Sequence, residues 1–308
     1  MPSKRTPPSK NKTDIKTTVI IILLVVVAFE TFLLWNKKQP QMPVAKKIEA
    51  VKTPKVSLAK PREPKITVTA LPYKAPPVPV RKAPGSAGKI AFVLDDWGYT
   101  ARNCKYLQAI QAPLAIAILP NLRHSDDIAQ CAGKAGKDTM LHLPLEPYHN
   151  NDSYPENYLI TTNMRPSLVV KLLEDALRKM PYVQGVNNHM GSRATENKPL
   201  MTLIFKHLKK HGLFFVDSMT SPNHSICAET AAEIHLPFAQ RDVFLDNINT
   251  REEIKKQILV LAERARKKGY AVAIGHDREL TLRVLQEEIP VLQTEGFEIV
   301  RVKDLVKK

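Results

Sequence analysis

The chain repeats one pattern: an apolar run that stops abruptly at an acid, an amide or an imidazole. Lys89-Ile90-Ala91-Phe92-Val93-Leu94 stops at Asp95-Asp96-Trp97-Gly98, and residues 114–119 stop at Pro120 and Asn121. Residues 139–141 run into His142-Leu143-Pro144-Leu145-Glu146, and residues 183–186 stop at Asn187-Asn188-His189. Further runs, 213–216 and 270–275, stop at Asp217-Ser218 and His276-Asp277. Runs of this kind read as strands buried on both faces, the condition of a parallel sheet covered by helices. In parallel sheets and barrels the carboxyl ends of the strands share one rim, where residues remote in sequence converge. The expectation is a metal site on that rim.

Amphipathic stretches separate the runs, and helices are predicted over 125–135, 167–179, 199–211, 252–268 and 280–295. Ser125-Asp126-Asp127 reads as an N-cap with an acidic first turn, and Thr250-Arg251-Glu252-Glu253 as a capping box. Gly212, Gly269 and Gly296 each end a helix just before a strand. About seven βα units over the last 220 or so residues predict an α/β fold, a parallel barrel or a distorted version of one. No GxGxxG or P-loop pattern stands at a strand end, which counts against a dinucleotide or nucleoside triphosphate enzyme.

The net charge of +16 suggests a nucleic-acid binder until it is divided. Residues 1–88 hold 17 Lys and Arg against 4 acids, a net of +13, which leaves +3 for residues 89–308. The basic character belongs to the tail, no RNA- or DNA-reading motif accompanies it, and no nucleic-acid partner is expected. Residues 1–16 form a basic polar tail. Residues 17–35 are an apolar stretch broken once, at Glu30, and about 19 residues is what a single helix needs to cross the hydrocarbon core. A cleaved signal peptide would have a shorter apolar part followed by small residues; Asn36-Lys37-Lys38-Gln39-Pro40 does not fit, so an uncleaved anchor is expected. Five basic residues precede the stretch and six follow it within the next 20, so charge does not set its orientation. Residues 36–86, rich in Pro and Lys and without apolar periodicity, read as a disordered, extended linker. The folded head is then 87–308. Cys104, Cys131 and Cys227 lack CxxC or metal-ligand spacing and read as small buried apolar residues. One disulfide among them is open outside the cytoplasm.

Asp95 and Asp96 are adjacent, so on a regular strand their side chains would diverge. Both reach one centre only where the strand breaks, one to bind a metal and the other to accept a proton; otherwise they are a capping or turn pair. His142 is a rim imidazole or a satisfied half-buried one. His189 stands in a segment dense in polar groups, with Asn188 and Arg193. His276 repeats the arrangement and could coordinate a metal or give up a proton. Glu146 and Asp217 are further rim candidates. The segment Arg241-Asp242-Val243-Phe244-Leu245-Asp246 holds either an internal ion pair or groups that orient the site; Arg241 and Asp242 are its candidate residues. His124, His149, His207, His211, His224 and His235 read as surface or capping residues.

From about Ala87 to its end the chain resembles the divergent polysaccharide deacetylases, relatives of the chitooligosaccharide and peptidoglycan deacetylases. The resemblance rests on Phe92-Val93-Leu94-Asp95-Asp96, Leu141-His142-Leu143-Pro144-Leu145-Glu146-Pro147, the segment from Gly185 through Asn187-Asn188-His189 to Arg193, Arg241 to Asp246, and Ile274-Gly275-His276. It implies a distorted (β/α)7 barrel and a divalent metal, usually zinc. By position it makes Asp96, His142 and His189 the ligands, Asp95 the base and His276 the acid. In those relatives both histidines sit in one short H-[S/T]-x-x-H segment, whereas His142 and His189 lie on different strands.

The resemblance further implies a hydrolase that removes N-acetyl groups from an envelope polysaccharide or peptidoglycan. The head would lie on the periplasmic side of an inner membrane. The alternative is a glycan-binding or envelope-assembly module on the same fold that does not turn its ligand over. A metal-dependent phosphodiesterase on this scaffold is a third reading.

Overall fold

A computed structural model of the chain describes residues 86–149 and 158–307. The expected tail 1–16, span 17–35 and all of the linker except Ser86 lie outside the described residues. Among the described ones no helix is long and apolar enough to cross a membrane.

The strands are β1 (Gly88–Trp97), β2 (Ala115–Ile118), β3 (Asp138–Leu145), β4 (Gly185–Met190), β5 (Phe214–Asp217), β6 (Phe238–Gln240), β7 (Val243–Phe244), β8 (Tyr270–His276) and β9 (Phe297–Ile299). They pair in parallel in the order β6-β5-β4-β3-β2-β1-β8-β7. β9 adds alongside Gly88–Ile90, on the edge of β1 that β2 takes over from Val93 onward.

β6 and β7 stand at opposite ends of that order, yet only Arg241 and Asp242 separate them in the chain. The Arg241 N–H donates to Asp217 O beside β5, and the Asp242 N–H donates to Val272 O on β8. A single chain segment can touch both edges only if the sheet curls into a half-barrel.

Between the strands run α1 (Cys104–Ala109), α2 (Ser125–Lys134), α3 (Pro166–Lys179), α4 (Lys198–Lys210), α5 (Cys227–Ile234), α6 (Arg251–Lys268) and α7 (Glu279–Thr294). The five expected helices each fall within one residue of their expected ends. α1 and α5 were not foreseen, because segments this short barely repeat the 3.6-residue period. Thr250 caps α6 by accepting from the Glu253 N–H. Ser125 is not an outside cap but the first residue of α2; its Oγ donates to Leu119 O at 2.6 Å and accepts from the Leu122 N–H at 3.1 Å. Gly88 begins β1 at φ +126°, where an added Cβ would stand 2.6 Å from the Ala265 carbonyl oxygen of α6. Only glycine allows that approach.

Two apolar layers line the sheet. Ile90, Phe92 and Leu94 face the helices in the larger core. The alternate residues Ala91 and Val93 face inward with Ala115, Ala117, Met140, Val216, Ala239, Val272 and Ile274. These inner residues are mostly small or β-branched, as a tight curl requires. Cys104 and Cys131 are joined as a disulfide between α1 and α2, the one pairing left open from sequence, and Cys227 is free and buried as a small apolar residue.

Candidate metal centre

The strands run further than their apolar stretches, so the polar residues at their ends belong to the ladder. On the inner face the period of two carries each apolar file into a polar one. Ala91 and Val93 lead to Asp95, Met140 to His142, and Val272 and Ile274 to His276. β4 places Asn187 and His189 on that face, and register pairs Asp95 with His276 and His142 with Asn187. Asp96 departs from the alternation. The β1–β2 register slips between Leu94 and Trp97, and Asp96 has φ +64°. This bulge turns a second carboxylate toward the face that Asp95 already occupies.

Three donor atoms meet there. Asp96 Oδ1 lies 3.1 Å from His142 Nε2 and 3.0 Å from His189 Nδ1, and the two nitrogens are 3.3 Å apart. Bonds of about 2.1 Å to one cation put neighbouring donors about 3.0 Å apart in an octahedral set and about 3.4 Å apart in a tetrahedral one. The observed triangle fits a face of either. Two imidazoles and a carboxylate are a donor set suited to a first-row divalent ion.

The hydrogen bonds around the triangle orient it. Asn187 Oδ1 accepts from His142 Nδ1–H at 2.9 Å, which turns Nε2 toward Asp96. Asn187 Nδ2 donates to Asp95 Oδ1 at 2.8 Å and to Ser218 Oγ at 3.2 Å. Asp95 Oδ2 stands 3.8 Å from His142 Nε2. On the other side His276 Nδ1 donates to Asp246 Oδ1 at 2.8 Å, and the His276 N–H donates to Asp246 Oδ2 at 3.0 Å. Thr281 Oγ1 also donates to Asp246 Oδ2, at 2.7 Å. The pairing aims His276 Nε2 at Asp96 Oδ2, 3.8 Å away.

Electrostatics divides the two acids. Burial raises the pKa of Asp95, and the nearby His142 and His276 only partly offset it. Burial also works against an ionised Asp96, but hydrogen bonds from His142 and His189 outweigh it and hold this carboxyl far below the usual range. For His142 burial opposes protonation, and Asp95 and Asp96 overcome it. For His276 burial is likewise overcome by the bond to Asp246, and the net shift is upward. Asp277, beside it, is pushed up to about 6 by burial.

Asp95, Asp96, His142, His189 and His276 line one cleft of about 660 Å3, with Arg241, Asp242 and Asn188 on its walls. The other expected residues do different work. Glu146 accepts from Arg193 Nη1 at 3.0 Å and from the Thr162 N–H at 2.6 Å, so this pair ties the loops after β3 and β4 together outside the cleft. Asp217 shares the parity of Phe215 and points into the helix-side core, where it accepts from Ser225 Oγ and the Met219 N–H. Asn188, also of the opposite parity to Asn187, accepts from the Ser218 N–H at 2.9 Å and shapes the turn after β5. Arg241 donates to Ser218 O and Met219 O and stacks over Phe244. Asp242 is held by Lys268 Nζ at 2.8 Å and the Val272 N–H at 2.9 Å. Asn187 and Asp246, which orient His142 and His276, were not singled out from sequence. Asn187 was signalled by standing two residues before His189.

Fold and site together describe a curled parallel sheet with an Asp/His2 cluster at its carboxyl rim. Residues 92–306 match the model of the divergent polysaccharide deacetylases, and the chain belongs to that family. It is 31% identical over 207 residues to the uncharacterized protein YibQ of Escherichia coli (strain K12), covering 67% of this chain and 64% of that one. An uncharacterized protein of Haemophilus influenzae (strain ATCC 51907 / DSM 11121 / KW20 / Rd) is 32% identical over 203 residues, covering 64% of this chain and 70% of its own. The crystal structure of an uncharacterized protein from Agrobacterium tumefaciens C58 shares the fold at a TM-score of 0.68 and 21% identity, over 74% of this chain and 92% of that one.

Proposed function

We propose that this chain is a metal-dependent deacetylase, its sheet a distorted (β/α)7 barrel, that hydrolyses N-acetyl groups on an envelope polysaccharide such as peptidoglycan. The observation that carries the reading is the triangle of Asp96 Oδ1, His142 Nε2 and His189 Nδ1, with edges of 3.0 to 3.3 Å, flanked by Asp95 and His276. The histidines, remote in sequence, meet through the pairing of β3 with β4, which offsets their departure from the short H-[S/T]-x-x-H segment.

Asp96, His142 and His189 would hold a divalent cation, Zn2+ by its fit to the donor set, and such an ion acidifies water and polarises a carbonyl. Asp95, buried beside the triangle, takes the proton of the attacking water as its oxygen adds to the acetyl carbonyl carbon. Asn187 fixes that carboxylate through its amide. His276, protonated and steadied by Asp246, gives the Nε2 proton to the departing amine, leaving acetate and a free amino sugar. The cleft is of a size for sugar rings.

In this reading the head lies on the periplasmic side of an inner membrane, tethered by residues 17–35 through the linker 36–86. The Cys104–Cys131 disulfide supports an oxidising compartment. Acetate release from peptidoglycan fragments by the metal-loaded chain tests the activity. Asp95→Asn is expected to keep its metal and lose about 10²–10⁴-fold in rate. Undiminished release by Asp95→Asn, or a wild-type chain that binds glycan and frees no acetate, contradicts the reading.

A further inference from the structure

The helical layer holds a second group of ligating side chains that the deacetylase chemistry leaves unused. His207 and His211 stand four residues apart at the C-terminal end of α4, which places both on one face of the helix. Their ring centroids are 4.7 Å apart. Glu174, on α3, reaches both with one oxygen: Oε1 lies 3.0 Å from His207 Nε2 and 3.3 Å from His211 Nε2. The three donor atoms all lie within 4.8 Å of one another.

His207, read from sequence as a surface or capping residue, is buried, 8% exposed. Its Nε2 approaches the carboxylate closely, yet the contact lacks hydrogen-bond alignment. The same oxygen meets His211 Nε2 in a hydrogen bond at 3.3 Å, so one carboxylate oxygen serves both rings. The last turn of α4 presents the negative end of the helix dipole, which favours a cation.

We propose that Glu174, His207 and His211 form a second site for a divalent first-row transition metal, clamping α3 to α4. Two imidazoles and one carboxylate select Zn2+, Co2+, Ni2+ or Cu2+ over Mg2+ and Ca2+. Glu174 and His211 are partly exposed, so the site is open to solvent. α4 ends just before β5 begins, so this site lies toward the amino ends of the strands, opposite the cleft.

Zinc bound per chain, measured on the tag-free full-length protein by equilibrium dialysis and elemental analysis, tests the assignment. The first 103 residues contain neither His nor Cys, so the tail adds no imidazole or thiol ligand. The expected result is two equivalents for the wild type, one for His211→Ala, one for Asp96→Ala and none for the double variant. Zinc should also raise the melting temperature of Asp96→Ala and not that of the double variant. If His211→Ala fails to fold by circular dichroism, Glu174→Gln, which alters one half-exposed side chain, takes its place with the same expected loss. Stoichiometry unchanged by substitution at Glu174 or His211 overturns the proposal. Loss of one equivalent there, with none lost in Asp96→Ala, would keep this site and remove the one in the cleft.

Discussion

Asp96 reaches the cleft only because its backbone leaves the strand conformation, at φ +64°. Its neighbour Asp95 arrives by ordinary alternation, so one dipeptide supplies two carboxylates with opposite titration behaviour. Asp95 is raised by burial and Asp96 is held down by two imidazoles. The sign of the pH dependence follows. As base, Asp95 must be ionised, so activity falls on the acid side as its carboxylate takes up a proton. As acid, His276 must be protonated, and pairing with Asp246 carries the alkaline limb to higher pH. In Asp246→Asn the raising charge is gone, and the alkaline limb in a kcat–pH profile should move down by about 1–2 units. An unchanged limb would remove His276 from the acid role. Asn187→Ala frees the His142 ring from its tautomer-fixing partner; metal affinity measured by competition with a chelator should fall about 10–100-fold.

At the scale of elements, the helices were legible because their periodicity and Gly stops are local. α1 and α5 were not, being too short to show a period. The strand ends were legible as a rim, with Asp95, Asp96, His142, His189 and His276 standing out on it, but the groups that hold the imidazoles were not. Asn188 was singled out where Asn187 serves, and Asp242 where Asp246 serves. For the asparagines a one-residue error in a strand crosses from one face to the other. The spacing of His207 and His211 is visible in the sequence, but the burial of one and the approach of Glu174 from another helix are tertiary facts. The disulfide belongs to this scale as well. Cys104 and Cys131 close a loop of 27 residues between α1 and α2. Replacing both with Ser should lower the unfolding free energy by about 3 kcal/mol, read from denaturant midpoints with and without reductant. Equal midpoints for the oxidised wild type and the double variant would show that the bond adds nothing to stability.

For the molecule as a whole, one geometric fact organises the rest. The sheet curls until a single segment, Gln240 to Val243, touches both of its edges. That curl carries acids and imidazoles from β1, β3, β4 and β8 to a common wall. The family resemblance named Asp96, His142 and His189 as a ligand set. It could not show how residues 47 apart in the chain come within 3.3 Å, which the β3–β4 register accomplishes. Metal-edge anomalous diffraction from crystals of the zinc-loaded chain tests that convergence most directly. A peak is expected about 2.0–2.2 Å from Asp96 Oδ1, His142 Nε2 and His189 Nδ1. A fully loaded crystal with no peak between those three atoms would contradict it.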